Sequence, residues 1–373
     1  MPTYIYERRG WPTFTWDAAT IAPLLAALRY KQGRLLGRME GLGFDNAAKA
    51  ELQALTTEIV TSSAIEGENL DADQVRSSLA RRLGIDMGGL AAIDRDVEGI
   101  VEMMLDATQN AAAPMSRKRL FGWHASLFPT GRSGMRKVRV GAWRTEASGP
   151  MQVVSGPIGR ERVHFEAPRA EDVNIEMSSL LGWYDAPEKN DLVLKAGVAH
   201  LWFVTIHPFE DGNGRIARAL TDLLLSRSEG GAKRFYSMSS QIRKERAAYY
   251  EILERTQKGD LDITKWLAWF LGCLDRAIAG AETVVGDVLH KAEFWKGHER
   301  TPFNDRQRQM LVRLLDGFEG KLTSSKWAQL CKCSQDTASR DIDDLIAKGV
   351  LKKDPGGGRS TSYSLEPFPA PQK

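Results

Sequence analysis

Residues 207–218 read His-Pro-Phe-Glu-Asp-Gly-Asn-Gly-Arg-Ile-Ala-Arg, and their types and spacing describe a phosphate site with a base beside it. Gly212 and Gly214, ahead of a helix, let backbone N–H groups approach an anion, and the helix dipole favours negative charge there. Arg215 and Arg218 add forked donors that suit phosphate oxygens. Asp211 supplies a carboxylate of the kind that holds magnesium together with substrate phosphates. His207 is the one side chain of this run able to take a proton near neutral pH. Each feature alone has a plainer reading: a helix-end histidine, a glycine cap, a solvated arginine face. Together they describe a nucleotide site with a general base.

Two helices must present this loop. Apolar residues recur at Leu192, Ala196, Ala199 and Phe203, ending at His207-Pro208, and again from a helix start near Arg215 at Ile216, Ala219, Leu220, Leu223 and Leu224. Earlier, Asp17 caps a helix through Ile21, Leu24, Leu25 and Leu28, and Asn46 caps another carrying Leu52, Leu55 and Ile59. Continuing that stripe reaches Ser62 and Glu66, within a sector of about 80°. Glu66 is therefore carried inward if the helix persists, and it needs a cationic partner there. Further helices are expected over 71–83, 91–112, 118–127 and 264–279, with a hairpin in 131–168. Tyr249 and Tyr250, on the helix after Gln241, read as core, with a place at the border of the nucleotide base as the alternative.

The run 207–218 resembles the Fic family motif HPFx(D/E)GNGRxxR, with His207, Pro208, Phe209, Asp211, Gly212, Asn213, Gly214, Arg215 and Arg218 all in place. The resemblance implies a mainly α fold: a Fic-type helical core with a β-hairpin flap, an N-terminal helical region and, in this chain, a C-terminal winged helix. It implies protein adenylyltransfer, with AMP passing from ATP to a Ser, Thr or Tyr hydroxyl of a target protein or of the chain itself. His207 would be the base and Asp211 would hold Mg2+. Gly212, Asn213 and Gly214 would form the anion hole, and Arg215 and Arg218 would grip the outer phosphates. Related Doc-type kinases carry Lys where Gly214 stands, so the glycine sides with nucleotidyl transfer. The family's inhibitory motif (S/T)xxxE(G/N) is matched by Ser62, Glu66 and Gly67, which implies autoinhibition through a Glu66–Arg218 contact.

The bulk composition adds little. Net charge is +3 from 51 basic and 48 acidic residues, which points to neither nucleic acid nor membrane. The three cysteines, Cys273, Cys331 and Cys333, make no disulfide framework and suit a reducing, cytoplasmic location. No signal-like or membrane-spanning run occurs. The regions read as 1–112 N-terminal helices, 113–292 Fic core, a linker near 293–302, and 303–366 winged helix. The third helix of that last module, 335–348, has Arg340 and Lys348 against Asp336, Asp341, Asp343 and Asp344. DNA binding, protein docking and homodimer formation all stay open for it. Two other functions remain beside the transferase: a nucleotide-sensing transcriptional regulator that binds DNA through the winged helix, and removal of AMP from modified proteins with Glu66 positioning water.

Overall fold

The computed structural model describes residues 3–367 apart from 41–43, 86–92, 157–158, 161, 188–189, 232, 316–317, 319 and 356–360. Asp17 starts the first helix as expected, its carboxylate accepting from the Ala19 N–H at 3.0 Å. Helix α1 (Ala18–Glu40) runs through Pro23 and buries Ile21 and Leu28, whereas Leu24 is left 41% exposed. Helix α2 (Phe44–Ile65) begins two residues before Asn46, so that residue is not its cap. Its stripe is inward: Leu52, Leu55, Ile59 and Ser62 are all buried. Then follow α3 (Ala72–Leu83), capped by Asp71, α4 (Arg95–Gln109) and α5 (Arg117–Leu127). The expected start of α4 near Ala91 falls outside the described residues.

Two small hairpins occupy the 131–168 region. Strands β1 (Arg132–Ser133) and β2 (Arg136–Lys137) form one. Strands β3 (Gln152–Ser155) and β4 (Arg162–Glu166) form the other, with a register shift between Val153 and Val154. After α6 (Val173–Asp185) comes α7 (Leu192–Ile206), apolar on every side and buried along nearly its whole length, as such a helix must be. Helix α8 (Asn213–Glu229) packs on it, and the loop between them carries the motif. Helices α9 (Met238–Lys244), α10 (Arg246–Gln257) and α11 (Thr264–Gly297) complete this part.

The chain divides into two compact units, Met1–Val285 and Gly286–Lys373. The N-terminal helices thus share a unit with the core. The expected linker at 293–302 is not one: α11 continues through Gly297, and Phe294 is buried in the second unit's own core with Met310, Trp327 and Ile342. That unit holds α12 (Asp305–Leu315), α13 (Ser324–Leu330) and α14 (Gln335–Ala347). Strands β5 (Leu351–Lys353) and β6 (Tyr363–Leu365) pair antiparallel after them. Of the turn that Pro355-Gly-Gly-Gly358 implies between them, residues 356–358 lie outside the described residues. Cys331 and Cys333 follow the end of α13 rather than lying within a helix, and both are free thiols. No helix of the described residues is long and apolar enough to cross a membrane.

Candidate active site

The loop between α7 and α8 is held from within by one side chain. Asn213, buried at the first position of α8, accepts from the Phe209 N–H at 3.0 Å and donates to the Phe209 carbonyl at 2.8 Å. This double brace closes the turn around Gly212, which caps α8 with φ 79°. Phe209 is fully buried and stacks on His124, ring centroids 4.1 Å apart. His124 in turn touches the backbone on both sides. Its Nδ1 accepts from the Gly141 N–H at 3.1 Å, which leaves Nε2–H to donate to the Asp211 carbonyl at 3.2 Å. Burial pushes the His124 pKa down to about 4, so the ring is neutral.

His207 terminates α7 in the left-handed region, φ 50° and ψ 59°, a rare conformation for a residue with a side chain. Its Nδ1 lies 3.3 Å from the Val204 carbonyl. A carbonyl only accepts, so Nδ1 carries the hydrogen and Nε2 keeps its lone pair. Burial lowers the His207 pKa. The ring lines a cavity of 780 Å³, in the size range of small-molecule sites. Asp211, Gly212, Asn213, Gly214, β3, β4 and α10 line it as well, the last through Tyr249 and Tyr250. Tyr249 is also packed inside, its hydroxyl 2.8 Å from His200 Nε2.

Helix α2 stops one residue before Glu66, and the way it stops aims that residue. The Glu68 N–H donates to Ser63 O at 3.0 Å and the Gly67 N–H to Ala64 O at 3.2 Å, with Gly67 at φ 86°. This is the Schellman pattern, and its left-handed position is the reason a glycine stands at 67. Glu66, the last residue before the reversal, puts Oε1 2.8 Å from Arg218 Nη2. Arg218 is also held by Ser62, through the hydroxyl at 2.8 Å and the carbonyl at 2.8 Å. Arg215 pairs with Glu68, stands 3.9 Å from Asp211 Oδ1, and lies over the Phe128 ring. The structure therefore brings Ser62, Glu66 and Gly67 to the motif.

Two buried donors are left over at this place, Arg218 Nη1 and Arg215 Nε, which have no hydrogen-bond partner. A Cβ added at Gly214 would lie 3.1 Å from Arg218 Nη1 and would collide with the Glu66 carboxylate, whose carbon would be 2.8 Å away. The carboxylate thus rests directly on the first turn of α8, the natural seat of an anion. Asp211 is 41% exposed and bonded to the Gly212 N–H at 2.6 Å. A single such carboxylate fits magnesium, which takes one or two carboxylates and completes its shell with phosphates and water. Among the described residues there is no cluster of three or more His, Cys, Asp or Glu that would hold a metal by protein ligands alone.

Several residues of the site carry no signal in the sequence. Glu68, His124 and Glu210 are such residues, the last accepting from the Arg139 N–H at 3.0 Å. Arg144 is another, donating to the backbone of the His207 turn. Glu254 on α10 bonds His164 Nδ1 at 2.6 Å and Arg162 at 3.2 Å, tying the β3–β4 hairpin to α10. Glu210 lies at the motif's variable position; the others are connected to the motif only by proximity in the fold, across tens of residues or more.

Residues 114–225 match the Fic/DOC family, and residues 4–85 match a domain of unknown function (DUF4172). The protein adenylyltransferase Fic of Culex quinquefasciatus is 27% identical over 237 residues, 62% of this chain and 42% of that protein. The protein of the same name from Nematostella vectensis is 31% identical over 138 residues, 36% of this chain and 29% of that protein. The chain spans less than half the length of these curated relatives. A Fic family protein from Desulfovibrio desulfuricans G20 has the same fold, with a TM-score of 0.54 at 22% identity over 97% of this chain and 100% of that one. The chain carries a Fic/DOC family domain over residues 114–225.

Proposed function

We propose that the protein transfers AMP from ATP to a hydroxyl of a protein, and that Glu66 restrains it. The observation that carries this reading is the Glu66 carboxylate lying on Gly214 while bonded to Arg218, with a buried donor of that arginine unused beside it. An anionic side chain on the first turn of α8 stands where a phosphate would stand. His207 Nε2 takes the proton of the attacking Ser, Thr or Tyr hydroxyl as its oxygen bonds the α-phosphorus. The bond to pyrophosphate breaks in the same displacement. The N–H groups of Gly212–Gly214 and the guanidinium groups of Arg215 and Arg218 receive the charge on the leaving phosphates. Magnesium held by Asp211 would neutralise phosphate charge when bound.

With Glu66 in place, Arg218 is engaged and the outer phosphates lose their clamp, so the α-phosphorus is misaligned; a shift of about 1 Å costs roughly a hundredfold in rate. Wild type, Glu66→Gly and the double variant Glu66→Gly/His207→Ala, given ATP labelled on the α-phosphate with and without cell lysate, test the reading. Label on protein should rise in the first variant and vanish in the second. Transfer of γ-label instead would make the protein a kinase, and no gain from Glu66→Gly would remove the brake.

A further inference from the structure

Arg144 lies in the loop between β2 and β3, and its burial has no evident compensation in charge. It is 4% exposed, and among the described residues it makes no ion pair with a carboxylate, the Tyr6 phenol being the group that acts on its charge. A guanidinium in that position is costly, and burial pushes its pKa down. Its partners are three carbonyls: Nε donates to His207 O at 2.8 Å, and Nη2 donates to Ile206 O at 3.3 Å and to Pro168 O. Its own N–H donates to Pro208 O at 2.9 Å. Ile206 and His207 end α7, where the helix carbonyls lack partners and the dipole favours a cation. Pro168 follows the outgoing strand of the β3–β4 hairpin. One side chain thus grips both the turn that bears the imidazole and the root of the hairpin facing it across the cavity.

We propose that Arg144 is a positioning residue for His207, holding the left-handed turn from which the imidazole reaches the attacking hydroxyl. This rests on His207 acting as the base. The strained backbone of His207 persists only if its surroundings fix it, and the three-carbonyl grip is the group that does so. The guanidinium also acts on the ring by charge. His207 faces the Val204 carbonyl from α7, Asp211 from its own loop, Glu66 from the turn after α2, and Arg144 from the loop after β2. Of these Arg144 alone is a cation. After burial and the opposing Val204 carbonyl, it is the next influence on the ring, and it favours the neutral form that a base requires.

The test uses Arg144→Met and Arg144→Lys in the Glu66→Gly background, with kcat, KM for ATP and the His207 ring titration followed by NMR of labelled histidine. The Met variant should lose on the order of a hundredfold in kcat while KM for ATP stays within about twofold, and the His207 pKa should rise. The Lys variant keeps the charge and loses the fork, so kcat should fall about tenfold with the His207 titration near that of the parent. A Met variant with kcat within about threefold of its parent overturns the proposal. So does a loss confined to KM with an unmoved His207 titration. Should the Met variant not fold, the kcat and KM of the Lys variant decide by the same limits. A Glu66→Gly parent that transfers no nucleotide ends the functional reading, and the ring titration then judges the Arg144 contact alone: an unmoved pKa in Arg144→Met refutes it.

Discussion

Helix α8 carries ion pairs at two levels, and they are built for opposite ends. Near its start Arg215 and Arg218, each 3% exposed, are paired with Glu68 and Glu66, which are 39% and 31% exposed. One turn beyond Arg218, Asp222 pairs with Arg234 at 2.5 Å, and both side chains are 2% exposed. The lower pair is closed off from solvent, with Glu229 and Glu58 as the further acids near Arg234. The upper arginines are fixed, but their acidic partners sit on a turn at the cavity and can be exchanged for another anion. On the proposed function, burying the cation while leaving the acid at the surface makes a pair that would yield to phosphate.

The sharpest way to break this contrast is Asp222→Ala. It leaves Arg234 buried and unpaired, and should cost about 3–5 kcal/mol in urea unfolding. Equal losses from Asp222→Ala and Glu66→Gly would erase the distinction. Acid should also strike the permanent scaffold. His124 and His200 have folded-state pKa values of about 4 and about 3, both through burial, below the ordinary 6.5. As pH falls below 6.5 the unfolded chain takes up these protons first. Stability should therefore decline from pH 6.5 toward 4 by about 1.4 kcal/mol per unit for each histidine, with no contribution from them above 6.5. Unfolding midpoints that stay flat across that range would contradict the neutral assignment.

At the exchangeable level the effects are on rate. Glu66→Gly should raise AMP transfer roughly a hundredfold, while stability falls by about 1–3 kcal/mol, less than for Asp222→Ala because Arg218 keeps its two Ser62 contacts. The smallest change belongs to Glu68→Gln, which loosens Arg215 and should raise transfer about fivefold, the rate equivalent of about 1 kcal/mol. A Glu68 variant as active as Glu66→Gly would make both acids one brake.

The motif and the family were legible in the sequence because phosphate chemistry wants its groups on one short turn. Ser62 was legible for a second reason, the extension of a buried stripe; that extension stops short of Glu66, because α2 ends at Ile65 and a Schellman turn brings Glu66 to Arg218 while leaving it exposed rather than inward. Arg144 was not legible. It lies 63 residues from His207 in an irregular loop, where no period marks a buried side. The reach of α11 past Ala279 was missed because Gly280 and Gly286 weaken helix propensity there, and burial of Phe294 in the second unit's core offsets that. Local propensity lost to tertiary packing.

Residue 214 and the tip of residue 66 contend for a single small volume, and only one of them can have it. A lineage that enlarges the side chain at 214 must first give up the carboxylate at 66 or move it. On the proposed function, any descendant that changed its chemistry by filling that glycine would do so as an unrestrained enzyme, and would need its control rebuilt from another part of the molecule.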